Sequence, residues 1–136
     1  MREILFRGID EGTKKWVYGY YCESIAQFHK GKEYSIYDDK IISNYSVLPE
    51  TVGQYTGLTD KNGKKIFEGD IVKIYLYEPK GLANYEIGCI KYDDTKARFV
   101  FCTEEGNYGI DNSNVFEVIG NIHDNPEFLK EGVSNA

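Results

Sequence analysis

Along most of this chain hydrophobic and polar side chains alternate with a period of two, the spacing of a strand with one face buried. In Trp16-Val17-Tyr18-Gly19-Tyr20-Tyr21-Cys22 the alternation places Trp16, Tyr18, Tyr20 and Cys22 on one face. In Ile71-Val72-Lys73-Ile74-Tyr75-Leu76-Tyr77 it places Val72, Ile74 and Leu76 together, and Ile71, Lys73, Tyr75 and Tyr77 on the opposite side. Further strands are predicted over 4–9, 34–37, 40–48, 51–56, 85–92, 97–102 and 115–122, with another over 108–110. Residues 23–33 fit either a helical turn or the edge of a loop.

Turn chemistry punctuates these segments. Asp10 to Lys15, Gly57 to Ile66, Pro79 to Asn84, Asp93 to Lys96 and Glu104 to Asn107 are polar or glycine-bearing reversals. Asn62-Gly63 readily takes positive φ, as a tight reversal requires. In Phe67-Glu68-Gly69-Asp70 the glycine supplies an unusual φ and Asp70 is suited to bond nearby backbone amides. Asn125, Pro126 and Glu127 open one short helix, with Asn125 as its N-cap, and 131–136 are expected to fray. The predicted fold is mainly β, a β-rich α+β at most, built of several short antiparallel sheets. Its parts are a β-rich N-terminal subdomain over 1–56, and an SH3-like barrel with the short C-terminal helix over 57–130. Closure of that barrel would hide the strand edges.

Charge narrows the partners. The formal net charge is −6 and the sequence pI about 4.9. Residues 1–50 carry seven basic and eight acidic side chains, and 51–136 carry nine and fourteen. Such a surface argues against broad adhesion to DNA, RNA or anionic lipid. The N-terminal residues are too charged for a signal peptide, and no apolar run approaches the ~20 residues of a membrane span. A cytoplasmic, soluble protein with no membrane partner is expected.

Candidate chemistry is sparse. Cys22, Cys89 and Cys102 form neither a disulfide framework nor a zinc pattern, and buried free thiols are the plain reading. Cys89 and Cys102 are placed to neighbour each other across a hairpin, in packing more than in redox chemistry. Asp60-Lys61-Asn62-Gly63 has the look of a calcium loop, but Lys64 and Lys65 follow it and Ile71 stands at the twelfth position, so it reads as a turn. His29 and His123 lack companions at ligand spacing. No phosphate loop, nucleophile elbow or metalloprotease helix occurs. No catalytic residue, metal site or cofactor is predicted.

Tyrosine is the conspicuous residue, with 12 in the chain. Tyr75, Tyr77 and Tyr92, with Lys73, Lys91 and Arg98 beside them, are the candidate interaction surface. Three readings stand open: plain core, a protein interface, for which tyrosine is well suited, or a stacking platform for single-stranded nucleic acid. Glu78, Glu86, Asp93 and Asp94 alongside disfavour the last.

Three stretches together resemble a known family. They are Arg2-Glu3-Ile4-Leu5-Phe6-Arg7-Gly8 with Trp16, the run from Tyr55 to Val72 (YTGLTDKNGKKIFEGDIV), and Glu117-Val118-Ile119-Gly120-Asn121-Ile122 with Asn125-Pro126-Glu127. In this order they are similar to the YopX family of phage and prophage proteins, while 23–45 carries little of the likeness. Ile9 stands where the family often has an aromatic. The resemblance implies coiled β-sheets with an SH3-like barrel and a gene carried by a phage, prophage or other mobile element. It supplies no enzymatic activity. The expected function is a non-enzymatic module binding a protein partner or a second copy of itself. A nucleic-acid-associated module and an acidic mimic of nucleic acid are the alternatives.

Overall fold

The computed structural model describes residues 2–25, 31–77 and 83–129. The expected frayed tail and parts of the segments around 23–33 and 79–84 lie outside them. The chain divides into two compact units, Met1–Tyr55 and Thr56–Ala136.

The first unit is an antiparallel sheet. β1 (Phe6–Ile9), β2 (Trp16–Ile25), β3 (Lys32–Asp38) and β4 (Ser43–Ser46) follow one another, and a single 3-10 turn over Pro49–Thr51 leads into β5 (Gly53–Thr59). In space the order is β4-β3-β2-β1-β5. The pattern of two accounts for the burial: Ile36 of β3 and Val47 beyond β4 are enclosed, while Tyr18, Tyr20 and Tyr37 stay exposed. Thr51 does the work of a clasp, its hydroxyl donating to the Leu48 carbonyl at 2.6 Å and accepting the Ile9 amide at 2.8 Å. Buried Arg7 stacks its guanidinium over the Trp16 ring, 4.5 Å from the centroid.

β5 runs on into the second unit, where it neighbours β6 (Lys65–Phe67). The remaining strands are β7 (Asp70–Tyr77), β8 (Ala83–Asp93), β9 (Arg98–Thr103), β10 (Gly106–Gly109) and β11 (Val115–Asn121). They form one antiparallel sheet in the order β10-β9-β8-β7-β11. One face carries the core, in which Ile66, Val72, Ile74, Ile90, Phe101 and Phe116 are buried and Leu58, Ile110 and Val118 pack against them. Each such side chain contributes about 1.5–3 kcal/mol on burial.

The fold is mainly β, as the periodicity predicts. The SH3-like barrel is not: β10 and β11 stand at opposite ends of an open sheet. Burial here comes from Ile66 and Leu58, carried by β6 and the end of β5, packing onto the apolar face. The run Gly57 to Ile66, expected to be all turn, therefore holds strand at both ends around a reversal of 60–64. Similarly, the expected turn at Glu104 to Asn107 shrinks to Glu104-Glu105, and β10 begins at Gly106. Beyond the 3-10 turn, α-helix is confined to 127–129 among the described residues, and the Asn125 Oδ1 accepts the Asn121 amide at 3.3 Å. No helix among the described residues is long and apolar enough to cross a membrane.

Candidate interaction surface

The face of the β7–β8 hairpin opposite the core holds the arrangement with the most chemistry. Alternation aims Val72 and Ile74 into the core, so Lys73 and Tyr75 point the other way. Register then chooses their neighbours: Tyr75 lies opposite Tyr85 on β8 and Val115 on β11, and Lys73 opposite Ile87 and Glu117. The Tyr75 and Tyr85 rings pack at 6.1 Å between centroids and 59°. Lys73 reaches diagonally, its Nζ 4.5 Å from the Tyr85 centroid. An ammonium over an aromatic face is held there by the ring quadrupole.

Lys61 completes the cluster from the turn between β5 and β6. Its Nζ stands 4.8 Å from the Tyr75 centroid, 3.5 Å from the Tyr75 hydroxyl and 3.0 Å from the Glu117 carboxylate. First the Glu117 hydrogen bond, then the Tyr75 hydroxyl, hold the Lys61 ammonium above its ordinary pKa. The surface thus presents two adjacent tyrosines, each with a lysine over its ring, and one carboxylate at the rim.

What places Lys61 there is Asp60, which is buried. Its Oδ1 accepts the Asn62 and Lys64 amides at 2.9 Å each, and its Oδ2 accepts the Val118 amide at 3.0 Å. The Lys61 amide in turn donates to the Phe116 carbonyl at 2.9 Å. The turn is stapled to β11 by these bonds. Burial pushes the Asp60 carboxyl up, but the amides of Val118, Lys64 and Asn62 together outweigh it and hold it below the usual carboxylate range. Gly63 within this turn has φ +81°.

The second predicted bend lies at the base of the same sheet. Gly69 has φ +92°, its amide donates to the Ile90 carbonyl, and its carbonyl accepts the Ile122 amide. Asp70, 1% exposed, accepts the Phe67 amide at 2.7 Å.

The candidate tyrosines do not share one patch. Tyr75 belongs to the cluster. Tyr77 pairs in register with Ala83, and its side chain lies outside what is described. Tyr92 is an even-numbered residue of β8 where Tyr85 is odd, so it falls on the opposite face, its ring edge-on to Phe99 at 5.3 Å. Lys91 and Arg98 share the Tyr75 face by register, but Ile71, Cys89 and Val100 lie between, each buried. They form a separate end of the sheet. Lys61 and Tyr85 escaped the sequence reading because only the pairing of β7 with β8 and the stapling of the turn to β11 bring them to Tyr75.

Comparison with known proteins agrees with this architecture. A family model described as YopX protein matches residues 5–130. The search of curated proteins gives no match. Among solved structures, the crystal structure of protein EF1440 from Enterococcus faecalis is similar over 95% of this chain and 99% of that one, with a TM-score of 0.55 and 24% sequence identity. At that identity the likeness shows the fold alone. The family match, by contrast, spans nearly the whole sequence, and the chain belongs to the YopX family.

Proposed function

We propose that this chain is a non-enzymatic protein-interaction module, carried by a phage or prophage and acting in the cytoplasm of the bacterial host. The observation that supports this is the Tyr75–Tyr85 pair on the sheet face opposite the core, with Lys73 and Lys61 over the rings. Paired tyrosines offer a broad apolar area with polar tips at low entropic cost, the composition of interface centres. Mixed charge at the rim, from Lys61, Lys73 and Glu117, suits a polar protein surface. The resemblance to phage and prophage proteins supports the setting.

The test is affinity capture from a bacterial host lysate with mass spectrometry, comparing the native chain with Tyr85→Ala. A protein retained by the native chain at both low and high salt, and lost with the variant, is expected. Recovery of the same proteins by both, or of none, refutes the reading. The two lysine-capped rings also favour a second reading, stacking of single-stranded nucleic acid, against which the overall charge weighs. A labelled oligonucleotide shifted at low salt and released at high salt would select that reading over the first.

A further inference from the structure

Two of the three cysteines meet in the middle of the second sheet. Cys89 on β8 and Cys102 on β9 are direct register partners in an antiparallel pair. Both thiols are free. Opposed residues of an antiparallel pair hold their Cα atoms about 4.5–5.5 Å apart. A disulfide takes about 4.4–6.8 Å between Cα atoms, so the strands need not separate or slip to be bridged.

We propose that Cys89 and Cys102 are a latent cross-strand disulfide, closed by a hydroperoxide. Access orders the steps, since Cys102 is partly exposed and Cys89 is buried, at 5%. The Cys102 thiolate attacks one peroxide oxygen. The O–O bond breaks, the departing oxygen takes up a proton and leaves as water or alcohol, and Cys102 is left as a sulfenic acid. The Cys89 sulfur then gives up its proton and attacks the Cys102 sulfur. The S–O bond breaks, the hydroxide takes that proton and leaves as water, and the S–S bond forms. Two thiols are oxidised by two electrons and one peroxide is reduced.

The environment fits the order of attack. Burial disfavours the Cys89 thiolate, while Lys91, two residues along the same face, favours it. Cys89 is thus poorly suited to meet peroxide first and well placed to resolve a sulfenic acid beside it. The bridge would tie β8 to β9 in the register they already hold. The exposed Cys22 lies in the first unit.

The test uses the full chain carrying Cys22→Ser, which keeps both thiols of the pair. It is treated with hydrogen peroxide, folded and in urea, then alkylated and mapped by mass spectrometry. The expected result is a Cys89–Cys102 crosslinked peptide that dithiothreitol reverses, formed faster in the folded chain by about tenfold or more, because the fold supplies the proximity. With Cys89→Ser added, a sulfenic acid at Cys102 should be trapped by dimedone. Over-oxidation of Cys102 without a crosslink, or a crosslink formed no faster folded than unfolded, would overturn the proposal.

Discussion

Substituting asparagine for Asp60 tests whether one carboxylate holds the turn to the sheet. Asparagine keeps a carbonyl where Oδ1 accepts Asn62 and Lys64, but sets an amide group against the Val118 amide that Oδ2 now accepts. Donor then faces donor. Flipping the side chain satisfies Val118 and orphans the other two, which is no better. One bond to a charged acceptor is lost at a buried position, a cost of about 1.5–3 kcal/mol. Alanine removes all three. Since the two turn amides can reach water more readily than Val118, alanine should cost about 3–4 kcal/mol rather than the full sum.

Urea titration followed by far-UV circular dichroism gives the stabilities, and amide hydrogen exchange localises the loss. The Val118 amide should lose protection in Asp60→Asn while the Asn62 amide changes little. The pH arm has a fixed sign. Because the folded carboxyl sits below its unfolded value, its contribution is complete above pH ~4 and is lost as pH falls through the lower, folded pKa. The native chain should therefore lose stability over that acid range more steeply than Asp60→Ala. A penalty under ~0.5 kcal/mol for Asp60→Asn, with Val118 still protected, would refute the staple.

The remaining predictions probe other positions. A Cβ at Gly19 would overlap the Tyr37 carbonyl, a backbone atom that cannot swing aside, so Gly19→Ala should destabilise the first unit by about 3 kcal/mol in urea titration, while Gly12→Ala, with only a contact at 3.9 Å, should be near neutral. Ile42 is 77% exposed with φ +55°, a conformation poor for a β-branched residue, so Ile42→Asn should raise stability by about 0.5–1 kcal/mol and shift the melting temperature upward. Burial, then the bond to Glu23, pushes the Tyr21 hydroxyl up to about 12. Its stabilising contribution is complete below pH ~10 and lost as pH rises toward 12; in alkaline titration Tyr21→Phe should lose less stability over that window than the native chain.

The strand content was legible because alternation is a local signal that survives tertiary context. Val72 and Ile74 face the core as their spacing predicts, and the strands over 16–22, 71–77 and 115–122 are found with shifted ends. Closure was not legible, because whether sheet edges meet depends on twist and on what packs across the face. Here Leu58 and Ile66 pack across it from a segment whose Asn62-Gly63 reversal dominated its reading. The surface followed the same division. Tyr75 could be picked out from the sequence, but choosing Tyr85 over Tyr92 as its neighbour needed the offset between β7 and β8, and a shift of one residue exchanges the faces.

Asp60 and Lys61 are adjacent in sequence and divide their labour by direction. The Asp60 carboxylate turns inward to three amides, while the Lys61 ammonium turns outward between Tyr75 and Glu117. Neither placement is independent, since the Lys61 amide hangs on the Phe116 carbonyl two residues from the Val118 amide that Asp60 accepts. Disturbing the buried carboxylate must therefore move a cation on the surface. If the Tyr75–Tyr85 face binds a protein as proposed, Asp60→Asn should weaken capture in the same direction as Lys61→Ala, although Asp60 is itself buried. A chain that loses the Val118 bond yet binds undiminished, while Lys61→Ala does not, would show that Lys61 is held by its ring and carboxylate contacts alone.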